Sequence, residues 1–212
     1  MEKGDFVKIA YTGKLKEGGE VFDKNEEISI VIGSGFVITG LDTSLQSMNV
    51  GEKKTIEIKP EDGFGSRRED LIKLIPENEF KKHNTNPYPG MFVEADNLRG
   101  RVLSVSSGRV KVDFNHPLAG KILIYDVEIK SKIEGIENKV KALVGYYTKI
   151  EGEKISVAEK GKEVDITAPP LIHPAIKNRI SKDLNKLLGF ETVKFSEIFK
   201  PTETVKEQEP AL

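Results

Sequence analysis

The chain contains no cysteine and no tryptophan among its 212 residues. Without thiols, disulfides, cysteine nucleophiles and Cys-based zinc sites are excluded. Histidine is scarce: His83, His116 and His173 stand far apart, with no HExxH spacing between any two, so no metal is expected. Net charge is nearly absent as well, with 33 Lys+Arg against 34 Asp+Glu. No basic field gathers phosphates, which argues against nucleic acid as a partner. No segment reaches the roughly 18 apolar residues of a membrane-spanning helix. The opening MEKGDFVKIAYTG starts a strand pattern in place of an apolar signal-peptide core. The expectation is a cytoplasmic protein with no membrane partner.

What is present suffices for packed cores. Apolar residues make up 37% of the chain, and its length suits two or three domains. Phe6, Ile9 and Tyr11 alternate imperfectly with charged residues, as in a strand. Gly18-Gly19 marks a turn, Val21-Phe22 opens a short strand, and Glu27 to Ile32 reads as another. Leu41, Leu45 and Met48 fall on one face of a short helix preceded by Gly40 and stopped at Asn49 and Gly51. Lys53 to Lys59 predicts a strand, Pro60 ends it, and Glu61-Asp62-Gly63-Phe64-Gly65 is a loop.

From about Arg67 the texture changes. A short polar helix is expected at Glu77 to Lys82. Three short strands follow at Met91 to Val93, Gly100 to Val105 and Arg109 to Phe114, with turns at Asn97 and Ser107-Gly108. Leu123, Tyr125, Val127 and Ile129 alternate in a later strand. After Lys132, Val140 to Tyr147, Lys154 to Ala158 and Glu163 to Ile166 read as strands, and Pro169-Pro170 interrupts. Ile172, Ile176, Ile180, Leu184 and Leu187-Leu188 form an apolar stripe over four turns, a helix begun by Pro174 and ended at Gly189. Val193, Phe195, Ile198 and Phe199 predict a last strand. The Glu/Lys/Pro-rich end from Thr202 is expected to be disordered. The fold class is α+β, with a curved antiparallel sheet wrapped on a short helix.

Five segments, in order, resemble FKBP-type peptidyl-prolyl cis-trans isomerases: YTGKL, VFD at Val21 to Asp23, GSGFVITGLDTSLQSMNVGEK from Gly33 to Lys53, IEIKPEDGFG, and HPLAGKILIYDVEI from His116 to Ile129. The long stretch between the last two resembles the insert-in-flap domain of SlyD-like members, and the extension after residue 132 resembles the long archaeal members. The resemblance implies a discontinuous isomerase domain at 1–68 and 115–132, an insert-in-flap chaperone domain at 69–114, a C-terminal α+β domain at 133–201 and a flexible tail at 202–212. Two departures stand out. The chain ends in TETVKEQEPAL where SlyD-like proteins carry a metal-binding tail, and Leu41 stands where many members place tryptophan at the pocket base.

The chemistry the resemblance implies is rotation of a prolyl amide. Partial double-bond character gives a barrier of roughly 18–20 kcal/mol, and rotation needs neither nucleophile, metal nor cofactor. By resemblance Tyr11, Asp23, Ile38, Phe64 and Tyr125 form the catalytic set, while Phe22, Val37, Leu41, His116 and Leu118 bind substrate. The Ile38 N–H would hold a substrate carbonyl, and Asp23 would orient Tyr11 or polarise the carbonyl region. Taken one at a time, Phe22, Val37, Ile38 and Leu41 read as core residues, Asp23 as a turn acid and His116 as a loop residue. Their joint order carries the functional reading.

Expected partners are unfolded or partly folded polypeptides containing proline, with a homodimer through the C-terminal domain as a further expectation. The insert's Leu71, Leu74, Ile75, Phe80, Tyr88, Met91, Phe92 and Val102 supply a chaperone surface or the insert's own core. The alternative to an isomerase is a holdase or scaffold that binds peptides with little turnover. A hydrolase using His116, Asp23 and Ser34 is the remote third reading, since Ser34 lacks the GxSxG context.

Overall fold

A computed structural model describes residues 1–95, 98–169 and 172–198. The Asn97 turn, the second proline of the Pro169-Pro170 break, Phe199 and the 202–212 tail lie outside the described residues. In chain order the elements are β1 (Phe6–Leu15), β2 (Val21–Val31), α1 (Thr39–Gln46), β3 (Lys53–Ile58), β4 (Ile72–Pro76), α2 (Glu77–Lys82), β5 (Phe92–Ala95), β6 (Leu98–Ser106) and β7 (Arg109–Asp113). They continue as β8 (Leu123–Lys132), α3 (Ile136–Thr148), β9 (Ser156–Lys160), β10 (Glu163–Ala168), α4 (Pro174–Leu188) and β11 (Thr192–Glu197).

The first sheet is antiparallel with strand order β2-β1-β8-β3. β8 pairs with both β1 and β3, so strands from either side of the 72–113 stretch share one sheet. Side chains alternate across a strand, and the sheet uses both faces. Val7 and Ile30 oppose each other on the inner face and pack with Leu41, Leu45 and Met48 of the α1 region. Their neighbours Phe6 and Val31 oppose each other on the outer face and pack into a second core with Val140, Leu143 and Val144 of α3.

The segment between β3 and β8 builds its own antiparallel sheet, order β4-β7-β6-β5, over a small core of Val102, Val110 and Val112. Two short crossings tie it to the first sheet. Arg67 pairs with Asp113 at 2.6 Å. The Asn115 side chain accepts from the Arg68 N–H at 2.8 Å and donates to the Arg68 carbonyl at 2.9 Å. The third sheet, order β11-β10-β9, is mixed: β10 runs antiparallel to β9 and parallel to β11, with α4 as the crossover.

Three expectations are corrected. Val140 to Tyr147, expected as a strand, lies within helix α3. Its β-branched and aromatic residues resemble a strand, but Val140, Leu143, Val144 and Tyr147 recur at three, four and seven residues, the spacing of a helical face, and Gly135 at φ 79° turns the chain into it. Val21-Phe22 and Glu27 to Val31 are parts of a single strand, β2, which bulges twice against β1, and Ile32 lies just beyond its end. Gly40 lies inside α1, and Met48 falls just beyond it while still buried.

Candidate functional site

The site is assembled at one end of the first sheet. Tyr11 comes from β1, Phe22 and Asp23 from β2, and Tyr125 from β8. Phe64 lies in the loop after β3, His116 and Leu118 in the loop entering β8, and Val37 and Ile38 in the approach to α1.

A bulge sets the geometry on β2. Gly13 opposes Asp23, yet Lys14 opposes Val21, so Phe22 is an extra residue on that strand. Bulges interrupt the alternation of faces and re-aim side chains. Here both neighbours reach the same side: the Phe22 ring packs edge-on against Tyr125, centroids 5.8 Å apart, and Asp23 accepts the Tyr11 hydroxyl at 2.8 Å. Gly13 lies beneath these rings. A Cβ there would come within 2.8 Å of the Phe22 ring and 3.1 Å of Tyr125, so the close approach requires glycine.

Aromatic contacts continue across the site. Tyr11 and Tyr125 lie 5.8 Å apart, Phe22 and Phe64 meet edge to face at 6.3 Å, and Phe64 stacks on His116 at 4.4 Å. Burial raises the Tyr125 phenol to about 12, the Asp23 charge adding to it. Burial, and then the bond to Asp23, raises Tyr11 further still. Both phenols therefore remain neutral at physiological pH, and Tyr11 stays a hydrogen-bond donor to the carboxylate.

Ile38 is the N-cap residue of α1, with φ −61° and ψ 150°. Its carbonyl accepts from Asp42 N–H at 3.0 Å, while among the described residues no group accepts from its own N–H. As at other helix starts, that donor has no intrahelical partner.

The sequence-derived site residues thus fall into four groups. Ring contacts or a hydrogen bond join Tyr11, Phe22, Asp23, Phe64, His116 and Tyr125. Val37 and Ile38 are half-buried and pack against the same inner core as these rings. Leu118 is linked to the cluster through its N–H, which donates to His116 Nδ1 at 3.1 Å. Leu41 is 1% exposed and belongs to the core itself, beneath the surface a ligand would touch. Gly13 and Phe36 were not singled out from sequence. A glycine inside a strand pattern was the available signal for Gly13; Phe36 gave none, because its partners come from α3.

Two large hollows lie elsewhere. One of about 1020 Å³ separates the β2 edge from α3, and one of about 650 Å³ lies on the outer face of the sheet around Thr12, Thr55 and Asp126. Neither is lined by Phe22, Phe64 or Tyr125, although Tyr11 borders the second. No helix among the described residues is long and apolar enough to cross a membrane.

Comparison with known proteins fits this arrangement. The family model "FKBP26, IF domain" matches residues 73–118, and "FKBP26_C-terminal" matches residues 136–200. A short-type peptidyl-prolyl cis-trans isomerase of Methanocaldococcus jannaschii is 33% identical over 61% of this chain and 92% of its own length. A probable FKBP-type 16 kDa peptidyl-prolyl cis-trans isomerase of Pseudomonas fluorescens is 34% identical over 58% of this chain and 85% of its length. The SlyD isomerase of Vibrio cholerae is 30% identical over 66% of this chain and 72% of its length.

Proposed function

Because this chain belongs to the FKBP-type peptidyl-prolyl cis-trans isomerase family, we propose that it accelerates prolyl bond rotation in folding polypeptides by desolvation and shape. The observation that carries the reading is the convergence of Tyr11, Phe22, Phe64 and Tyr125, with Gly13 beneath Phe22 and Tyr125 and Asp23 fastened to Tyr11 at the edge.

The planar prolyl amide is more dipolar than its twisted transition state. Water therefore stabilises the ground state more, and an aromatic surface that sheds water removes that preference. Binding the twisted form more tightly than the planar one supplies the rest. Every 1.4 kcal/mol removed from the barrier is about tenfold in rate. In this reading the Ile38 N–H holds the carbonyl on one side of the bond, and Phe22, Val37, Phe64 and Tyr125 surround the pyrrolidine ring. Leu41 supports the floor, while His116 and Leu118 form the rim. Asp23 fixes the Tyr11 hydroxyl and shapes the field at the edge without taking part in bond breaking.

The inserted sheet is the proposed chaperone element. Of the apolar residues expected there, Ile75, Phe80, Met91 and Val102 enter its core, while Leu74, Tyr88 and Phe92 remain 61%, 62% and 54% exposed. Exposed apolar side chains on a domain linked to the site through the short neck at Arg67 and Asn115 raise the effective concentration of a captured chain there. The same exposure favours the second reading, a holdase with little turnover. A homodimer through the open edges β9 and β11 of the third sheet, and a cytoplasmic setting, complete the proposal. Sedimentation with and without residues 133–212 tests the dimer.

Isomerase turnover on a proline tetrapeptide, measured beside proline-limited refolding of a whole protein, separates the two readings. Catalysis of both supports the isomerase. Suppressed aggregation with neither rate raised supports the holdase.

A further inference from the structure

The approach to α1 carries Val37 and Ile38, and three hydrogen bonds hold it. At its start, the Gly33 N–H donates to Asp42 Oδ1 at 2.7 Å. At its end, the Asp42 N–H donates to the Ile38 carbonyl at 3.0 Å. Both tethers are local to the first sheet and its helix. The third comes from α3, more than a hundred residues away in sequence: the Tyr146 hydroxyl donates to the Phe36 carbonyl at 3.0 Å.

This bond lies within an aromatic triangle. Phe36 meets Tyr146 edge to face at 4.6 Å and Tyr147 at 6.2 Å, and the two tyrosines meet at 5.1 Å. Tyr147 is fixed in turn by α4, donating to Asp183 at 2.5 Å and accepting from Arg179 at 3.3 Å. Phe36 itself packs against both the inner core of the first sheet and the core built by α3, α4 and the third sheet. The seam between those cores also holds Phe6 and Val31 of the first sheet against Leu143 of α3. Phe36 is therefore gripped from the C-terminal side by ring packing and by a backbone hydrogen bond, one peptide before Val37 and two before Ile38.

The geometry points to Tyr146 as a positioning residue of the isomerase site, through which the C-terminal domain fixes the Val37–Ile38 segment against the substrate. The inference rests on the proposed roles of Val37 and Ile38 and assigns the C-terminal domain a part in the reaction itself. Losing one of three tethers frees the carbonyl of residue 36 while the local two hold. The segment then samples positions in which the Ile38 N–H misses the substrate carbonyl. An interaction made equally in ground and transition states shows its loss in KM more than in kcat.

The test uses the full chain. Tyr146→Phe removes the hydroxyl and keeps the ring packing. Thr148→Val is the control: it removes another half-buried hydroxyl of α3, whose bonds to the Val144 carbonyl and the Ile150 N–H stay within the C-terminal part. Tetrapeptide turnover is measured for both, with tetrapeptide Kd by titration and melting temperature alongside. Tyr146→Phe is expected to raise KM and Kd by roughly three- to tenfold, the range for one part-buried neutral hydrogen bond, with kcat within about twofold. Thr148→Val is expected to lower the melting temperature with KM and Kd unchanged. An unchanged KM and Kd in Tyr146→Phe overturns the inference, whatever the melting temperature does, and so does an equal rise in Thr148→Val. A wild-type chain that binds the tetrapeptide without turning it over defeats the isomerase reading, while Kd still decides the role of Tyr146.

Discussion

The imidazole of His116 lies flat against the ring of Phe64, centroids 4.4 Å apart and planes 2° from parallel, while its Nδ1 accepts the Leu118 N–H at 3.1 Å. The first residues after the inserted sheet are thereby stacked onto the loop that follows β3. The accepting Nδ1 carries a lone pair, so the proton of the neutral ring sits on Nε2, facing away from Leu118.

His116→Phe should keep the stack, and His116→Ala should lose it. Aromatic pairs contribute about 0.5–1.5 kcal/mol beyond area burial, so His116→Ala is expected to raise the tetrapeptide KM by about two- to tenfold with kcat nearly unchanged. His116→Phe should remain within about twofold of wild type. Steady-state kinetics on the two variants checks this, and an inactive His116→Phe would assign the imidazole a chemical role.

Gly13→Ala should harm the site and the stability together. The added methyl meets the Phe22 ring at 2.8 Å and Tyr125 at 3.1 Å, with strands on both sides preventing retreat. Overpacking of this kind costs about 1–3 kcal/mol. Urea denaturation should show the midpoint falling, and turnover should drop more than tenfold as the two rings are displaced.

Alkali should weaken the fold through the same rings. Burial raises Tyr125 to about 12 in the folded chain, above its ordinary value of 10.0. Between those values the native state holds a proton that the unfolded state has lost, so stability is fully present below pH 10 and declines as pH rises toward 12. Tyrosinate absorbance and urea midpoints measured over this range should show Tyr125→Phe losing less stability than wild type as pH rises.

Much of this was legible in the sequence, for identifiable reasons. The joint order of YTGKL, VFD and GSGFVITGLD picked out Tyr11, Asp23 and Ile38, and the last helix announced itself by its stripe from Ile176 to Leu188, with Pro174 and Gly189 at its ends. Periodicity reports local faces, so it could not show that β8 returns between β1 and β3. It also failed at α3, where Val140, Val144 and the tyrosine pair have strand-like composition on a helical spacing. That misreading hid Tyr146, whose partner Phe36 is distant in sequence. The β2 bulge was equally invisible, because an extra residue shows only once two strands are paired.

Deleting residues 69–114 and closing the loop should separate two activities. The insert meets the first sheet at a narrow neck of Arg67, Arg68, Asp113 and Asn115. Tetrapeptide turnover is expected to stay within about threefold of wild type, while catalysis of whole-protein refolding falls more than tenfold, as expected when a linked second contact is lost. Equal losses on both substrates would mean that the insert only supports the pocket.

The claim that water removal and shape carry the catalysis is tested most directly by tetrapeptide turnover of Asp23→Ala. The Asp23 carboxylate touches the site through the Tyr11 hydroxyl, so its loss should slow turnover by about three- to tenfold, the scale of one hydrogen bond. If Asp23→Ala is instead as inactive as a chain whose aromatic surface is covered by a bulky substitution, an acid is obligatory and the account is contradicted.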